Sequence, residues 1–311
     1  MRILPGNVAT NIRTYYLRHD RLLLQAMPAC AQYDPGLFYT LRPGSCRFRA
    51  REFDVQIDIN SLGVRDDEAS LRAPDIVVLG DSYAMGWGVA QHETFADRLE
   101  ALTGLRVLNA GVPSYGTARE MRMLGRIDTS RMRTLVIQYA DNDLIENLAY
   151  RDAGERLEIG SLERYQRDLQ RNAGRHHYYF GMTTISIVRE AVWPRKSERL
   201  WLPPEKEARL FLETVVAAAP MDLTGVQVIV LEISPIGRMD GRFAAALAAE
   251  AVEPIYPEPI RRMKVLDLRT RLSRDDYFDL DDHLRASGHA AVAQALRDAI
   301  LAKSSPRTRA D

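Results

Sequence analysis

The stretch "VVLGDSYAMGWGV", residues 77 to 89, carries an apolar run directly into Gly80-Asp81-Ser82. Glycine, aspartate and serine are ordinary turn and helix-cap residues, and that accounts for most such triplets. A serine at the end of a buried strand also stands where open α/β folds place their chemistry, outside the carboxyl ends of the strands. Its hydroxyl becomes a nucleophile only when a base takes the proton. "DLDDHL", residues 279 to 284, offers one in His283, an imidazole whose unperturbed pKa lies near neutrality. A carboxylate on the other ring nitrogen would fix its tautomer. Asp281 is the choice on spacing, because residues two apart in an extended segment point to the same side while Asp282 points away; Asp279 stays open. Such a set performs acyl transfer through an acyl-serine, and the expectation is that it uses no cofactor. Gly80-Asp81-Ser82-Tyr83-Ala84 lacks the second glycine of a Gly-x-Ser-x-Gly elbow, which argues against an ordinary α/β-hydrolase.

The elements that would position these groups are legible as five apolar, β-branched runs: 76–79, 107–110, 134–139, 226–231 and 265–268. Between and after them lie helical patterns at 95–102, 118–124, 207–218, 243–251 and 290–302, the last with Val292, Ala293, Leu296 and Ile300 on one face. Strands alternating with helices imply a parallel sheet covered on both faces. Residues 1–72 break this rhythm and read as an N-terminal extension packed on a main domain at 73–303, with a tail at 304–311. In the extension 33–43 is rich in Pro, Gly and Tyr, while 53–59 alternates as a half-buried antiparallel strand would. A stretch at about 144–205 separates the third and fourth strands by far more than a crossover needs and carries Tyr150, Tyr165, His176, His177, Trp193 and Trp201. It reads either as a lid or substrate wall or as a helical insertion whose aromatics pack.

At 311 residues, with 46% hydrophobic and 27% charged residues, the composition is that of a globular protein able to bury a large core. Lys and Arg number 42 against 42 Asp and Glu, so no global field favours nucleic acid. No run reaches the roughly 18–20 apolar residues that span a bilayer, which leaves either a cytoplasmic protein or one whose export segment lies outside this chain. Cys30 and Cys46 are the two cysteines, compatible with one disulfide or with two buried thiols. His176 and His177 have no Cys or carboxylate cluster at ligand spacing, so no metal site is expected there.

Four blocks together resemble the SGNH/GDSL hydrolases. Gly80-Asp81-Ser82 is similar to the nucleophile block, Asn109 to Gly116 to the second block, Tyr139-Ala140-Asp141-Asn142-Asp143 to the third, and Asp281-Asp282-His283 with Ser287-Gly288-His289 to the histidine block. The resemblance implies a flavodoxin-like three-layer α/β/α sandwich on a five-stranded parallel sheet. It also implies an oxyanion hole made by the backbone N–H groups of Ser82 and Gly111 and the side-chain amide of Asn142. Two departures stand out: Ala140 replaces the usual glycine, and the carboxylate is two residues before His283 where three is commoner, a variant seen in polysaccharide-modifying members. Trp87, between Gly86 and Gly88, and Asp81 stand beside the nucleophile as candidate substrate-binding residues, with simple packing the alternative for Trp87. Asn60-Ser61-Leu62-Gly63-Val64-Arg65-Asp66 resembles the leader motif of bacterial extracytoplasmic members, which implies a periplasmic or secreted location and a Cys30–Cys46 disulfide. The implied activity is hydrolysis of a small, acetyl-like ester on a carbohydrate or envelope polymer, with acyl transfer to a sugar hydroxyl or glycan binding without turnover as the alternatives.

Overall fold

The computed structural model describes residues 6–174, 185, 189, 202–235 and 238–302. Nine strands and ten helices are used below. The strands are β1 Ala31–Asp34, β2 Phe38–Leu41, β3 Gly44–Arg49, β4 Asp54–Ile59, β5 Ile76–Leu79, β6 Val107–Asn109, β7 Thr134–Tyr139, β8 Gln227–Glu232 and β9 Lys264–Leu266. The helices are α1 Gly6–Tyr15, α2 Ser82–Met85, α3 Phe95–Thr103, α4 Thr117–Leu124, α5 Asp143–Asp152, α6 Leu162–Gly174, α7 Pro204–Ala218, α8 Arg242–Glu250, α9 Glu258–Arg261 and α10 Ala286–Leu301.

The last five strands form one sheet in the order β6-β5-β7-β8-β9, every neighbouring pair parallel. Counted from β5, this is the 2-1-3-4-5 order of flavodoxin-like sheets, whose direction of progression reverses between β5 and β7. The strands are apolar on both sides because both faces are covered. Val77, Leu79, Leu135, Ile137, Val228 and Val230 pack with Met121, Phe211, Leu212 and Leu247 on one side. Ile76, Val78, Val136, Ile229 and Leu231 pack with Phe95, Leu99, Val292 and Leu296 on the other. So α4, α7 and α8 make one layer and α3 with α10 the other.

The N-terminal region is more regular than its Pro, Gly and Tyr content suggests. β1 and β2 form an antiparallel hairpin across 31–41, and β3 pairs antiparallel with β4. Cys30 and Cys46 are joined as a disulfide with a Cα–Cα distance of 5.4 Å, inside the span that such a bond requires. Around it Leu24, Phe48, Phe53 and Ile57 share one apolar cluster with Met85, Trp87, Val89 and Phe278. The extension is therefore packed directly onto the loops that follow β5 and precede α10. Beyond Asp143, α5 and α6 account for much of the first half of the long insertion, and Tyr150 and Tyr165 are buried. His176, His177, Trp193 and Trp201 lie outside the described residues, as does the tail. No described helix is long and apolar enough to cross a membrane.

Candidate active site

β5 ends in Gly80, whose φ of +152° and lack of a Cβ are both needed: a Cβ there would stand 2.6 Å from Gln138 Oε1 and 2.7 Å from Ala84 Cβ. Gln138, buried on β7, accepts from the N–H groups of Asp81 and Ala84, tying the turn to the neighbouring strand. Asp81 caps α2 by accepting from the Tyr83 N–H at 2.9 Å. With Tyr83, Ala84 and Met85 N–H groups all taken, Ser82 N–H is the free donor of this first turn. The leader motif locks the loop that follows. Arg65, fully buried, donates to the carbonyls of Gly86 and Val89 and to Gln91 Oε1, and Asp66 accepts from the Asn109 N–H.

On the far side of the sheet edge, His283 Nε2 lies 2.7 Å from Ser82 Oγ and its Nδ1 lies 2.5 Å from Asp281 Oδ1. Asp281 is fully buried; its desolvation is outweighed by the charge of His283, the hydrogen bond to it and the charge of Arg21, which hold the carboxyl well below the usual range. Its second oxygen accepts from Tyr16 Oη at 3.3 Å. Asp279 is turned away, paired with Arg285 and Arg274. Asp282 Oδ1 is 3.6 Å from Nδ1 and is held by Arg21 at 3.0 Å.

Three groups here escaped the sequence reading. Arg21 Nη2 lies 3.4 Å from both ring nitrogens of His283, so the guanidinium sits across the imidazole, with its carbon 5.2 Å from the centre of the Trp87 ring. Tyr16 and Arg21 both come from the N-terminal segment, whose only sequence signal was charge beside a short apolar run. Glu52 accepts from three successive backbone N–H groups, of Asp279, Leu280 and Asp281, at 2.7, 2.8 and 2.8 Å. It shapes the turn that carries Asp281. Glu52→Ala is expected to cost about 3 kcal/mol of stability, since bonds to a charged acceptor are the stronger kind. Turnover should fall about 10²-fold through misplacement of Asp281. Urea unfolding and ester hydrolysis read the two effects, and a loss of stability with full turnover would show that Glu52 does not align the site.

Three expectations change. Gly111 is not a free oxyanion donor: its N–H donates to Asn109 Oδ1 at 3.1 Å, and its missing Cβ makes room for Met85 N, 2.5 Å from where a Cβ would be. Asp81 does not face substrate, being a buried helix cap. Trp87 is 2% exposed and stacks on His283 at 4.8 Å and 15°, so it supports the imidazole and offers no open surface. Asn142 stands at the start of α5 after β7, its amide making only a long 3.4 Å bond to the Tyr115 carbonyl. Ala140 has no left-handed backbone angle, so alanine fits where the family has glycine. His289 is buried and accepts from the Phe95 N–H, a structural role. Among the described residues, one group of side chains brings metal-ligating atoms together, Asp281, Asp282 and His283 within 4.8 Å. Its atoms are already engaged with one another and with Arg21.

Burial pushes the Asp81 carboxyl up to about 6, only partly offset by the Tyr83 N–H and the charge of His283. A folded-state value above the unfolded one means stability fully present below pH ~4 and lost as pH rises through the folded value. Asp81→Asn keeps the capping oxygen and removes the buried charge. It should stabilise the protein at pH 8 by about 3 kcal/mol relative to its effect at pH 4. Urea midpoints at the two pH values test this, and equal shifts at both would refute it.

The chain matches no protein-family model and no curated protein by sequence. Among solved structures it is similar to a member of the lipolytic protein G-D-S-L family from Veillonella parvula, at 13% identity over 73% of this chain and 96% of that one, TM-score 0.41. It is also similar to a lipase from a goat rumen metagenome, at 16% identity over 72% and 96%, TM-score 0.38. A third is a carbohydrate esterase family 2 enzyme with a carbohydrate-binding domain from Corynascus thermopiles, at 14% identity over 72% and 64%, TM-score 0.43.

Proposed function

We propose that this chain is a serine esterase of the SGNH/GDSL type that cleaves a small acyl ester, acetyl-like in size, on a carbohydrate or envelope polymer. The observation that carries the reading is the continuous chain from Ser82 Oγ through His283 to Asp281 at the carboxyl edge of β5. With Nδ1 protonated towards Asp281, Nε2 is free to take the Ser82 proton as Oγ bonds to the ester carbon. The oxyanion so formed meets the Ser82 N–H and the Asn142 amide. The leaving alcohol takes its proton from Nε2 as its bond to the acyl carbon breaks; a second oxygen nucleophile then passes its proton to the same nitrogen and bonds to the acyl carbon, the Oγ–acyl bond breaks, and Nε2 returns that proton to Ser82 Oγ.

Water as that nucleophile gives hydrolysis. Ser82 is only 7% exposed beneath the N-terminal segment, and this favours a second reading, transfer to a sugar hydroxyl with water kept out. An oxidising compartment outside the cytoplasm fits the disulfide. The test is wild-type p-nitrophenyl acetate hydrolysis with intact mass after a fluorophosphonate probe. One adduct at Ser82 and burst release of nitrophenol are expected; folded protein with neither would remove the esterase reading.

A further inference from the structure

The turn from Ala140 to Asp143, which carries Asn142, is held by a buried carboxylate. Asp143 Oδ2 accepts from the Ala140 N–H at 2.9 Å, and the Asp143 N–H donates to the Ala140 carbonyl at 3.1 Å. Asp143 Oδ1 accepts from Thr117 Oγ1 at 3.0 Å, and Thr117 Oγ1 accepts in turn from Asn147 Nδ2 at 3.1 Å. Thr117 and Glu120 are three apart on α4, and Asp143 and Asn147 are four apart on α5, so each pair shares one helix face. All four residues are buried.

Glu120 has no such support. It is 1% exposed, and neither of its oxygens has a hydrogen-bond donor. The charges acting on it, Asp143 and Glu146 from α5 and Asp81 from the turn after β5, are all negative. Arg119, its neighbour on α4, is paired with Glu146 at 2.9 Å, and Glu207 on α7 is bonded to Tyr139 Oη at 2.6 Å. A carboxylate buried without a donor costs far more than a protonated one. Burial and those three charges push the Glu120 carboxyl well above its ordinary range. Burial and Asp81 push Asp143 up as well, but Asp143 has two donors for its charged form and Glu120 has none, so the proton belongs on Glu120. A protonated Glu120 also brings a donor to a cluster in which Asn147 Oδ1 lacks one. We propose that Glu120 is a neutral carboxylic acid that keeps Asp143 ionised and in place, and is thereby a positioning residue for the Asn142 amide. Its part in turnover rests on the esterase reading, while its proton does not.

Two variants of the full chain test this. Glu120→Gln keeps the shape and a neutral donor, and Glu120→Leu keeps only the bulk. At pH 7 the infrared difference spectrum between wild type and Glu120→Gln should show the carbonyl stretch of a protonated carboxyl. The Asn142 side-chain amide resonance, assigned by its loss in Asn142→Asp, should stay in place in Glu120→Gln and move in Glu120→Leu. For p-nitrophenyl acetate, kcat should stay within about twofold of wild type in Glu120→Gln and fall about 10²-fold in Glu120→Leu with KM nearly unchanged, the scale of one lost oxyanion donor. A missing carboxyl band would show that Glu120 is ionised, and an Asn142 amide that moves in neither variant, or equally in both, would show that its neutral donor positions nothing. Either result overturns the proposal, and Glu120→Gln alone decides the first if Glu120→Leu does not fold. Wild-type protein without turnover would instead remove the esterase reading and leave both spectroscopic results to judge Glu120.

Discussion

Ser82→Ala is expected to lower kcat for p-nitrophenyl acetate about 10⁴-fold or more, with melting temperature nearly unchanged. The side chain's hydrogen bond is the one to His283 Nε2, so little of the fold depends on it. Everything that positions the turn belongs to its neighbours: the Asp81 cap, the Gln138 side-chain oxygen and the glycine at 80. What is lost is the covalent route; on the proposed mechanism, the Ser82 N–H and the Asn142 amide would still polarise the ester, of the kind that leaves ~10³–10⁴-fold over water when a triad member is removed. Fluorophosphonate labelling should vanish with turnover. Activity within tenfold of wild type would show that the nucleophile lies elsewhere.

The sheet was legible because its strands are buried on both faces and therefore read as unbroken apolar runs; bounds at β8 and β9 moved by one or two residues. α10 starts four residues earlier than its apolar face suggests, since Ser287, Gly288 and His289 in its first turn do not show the helical period. The hairpin of β1 and β2 was hidden for a related reason: its turn residues dominate a segment whose strands are four residues each. At the site, the two readings of Gly80-Asp81-Ser82 turn out to describe different residues, Asp81 capping a helix while Ser82 faces His283. The Gly111 N–H is taken by a side chain two residues back, a local competition that spacing does not reveal. Glu52 and Arg21 act across 229 and 262 positions of chain, and no local pattern marks such contacts.

The two acidic residues before His283 should separate sharply on mutation. Asp281→Asn is expected to reduce kcat about 10³–10⁴-fold, because an amide can present its N–H₂ to Nδ1 and hold the imidazole in the wrong tautomer. Asp281 also has the strongest claim by geometry, at 2.5 Å, fully buried, with Tyr16 on its other oxygen and Glu52 fixing its backbone. Asp282 stands 3.6 Å from the same nitrogen, is partly solvated and is committed to Arg21. Asp282→Asn should therefore cost less than about tenfold, as expected for a partly solvent-screened pair. Because Asp281 remains ionised well below the usual carboxylate range, its contribution to stability is present above the unfolded value and lost only as pH falls through the depressed one. Steady-state kinetics of both variants between pH 4 and 9 decide the matter: comparable losses would make the two carboxylates a shared partner of His283, and a larger loss in Asp282→Asn would reverse the assignment.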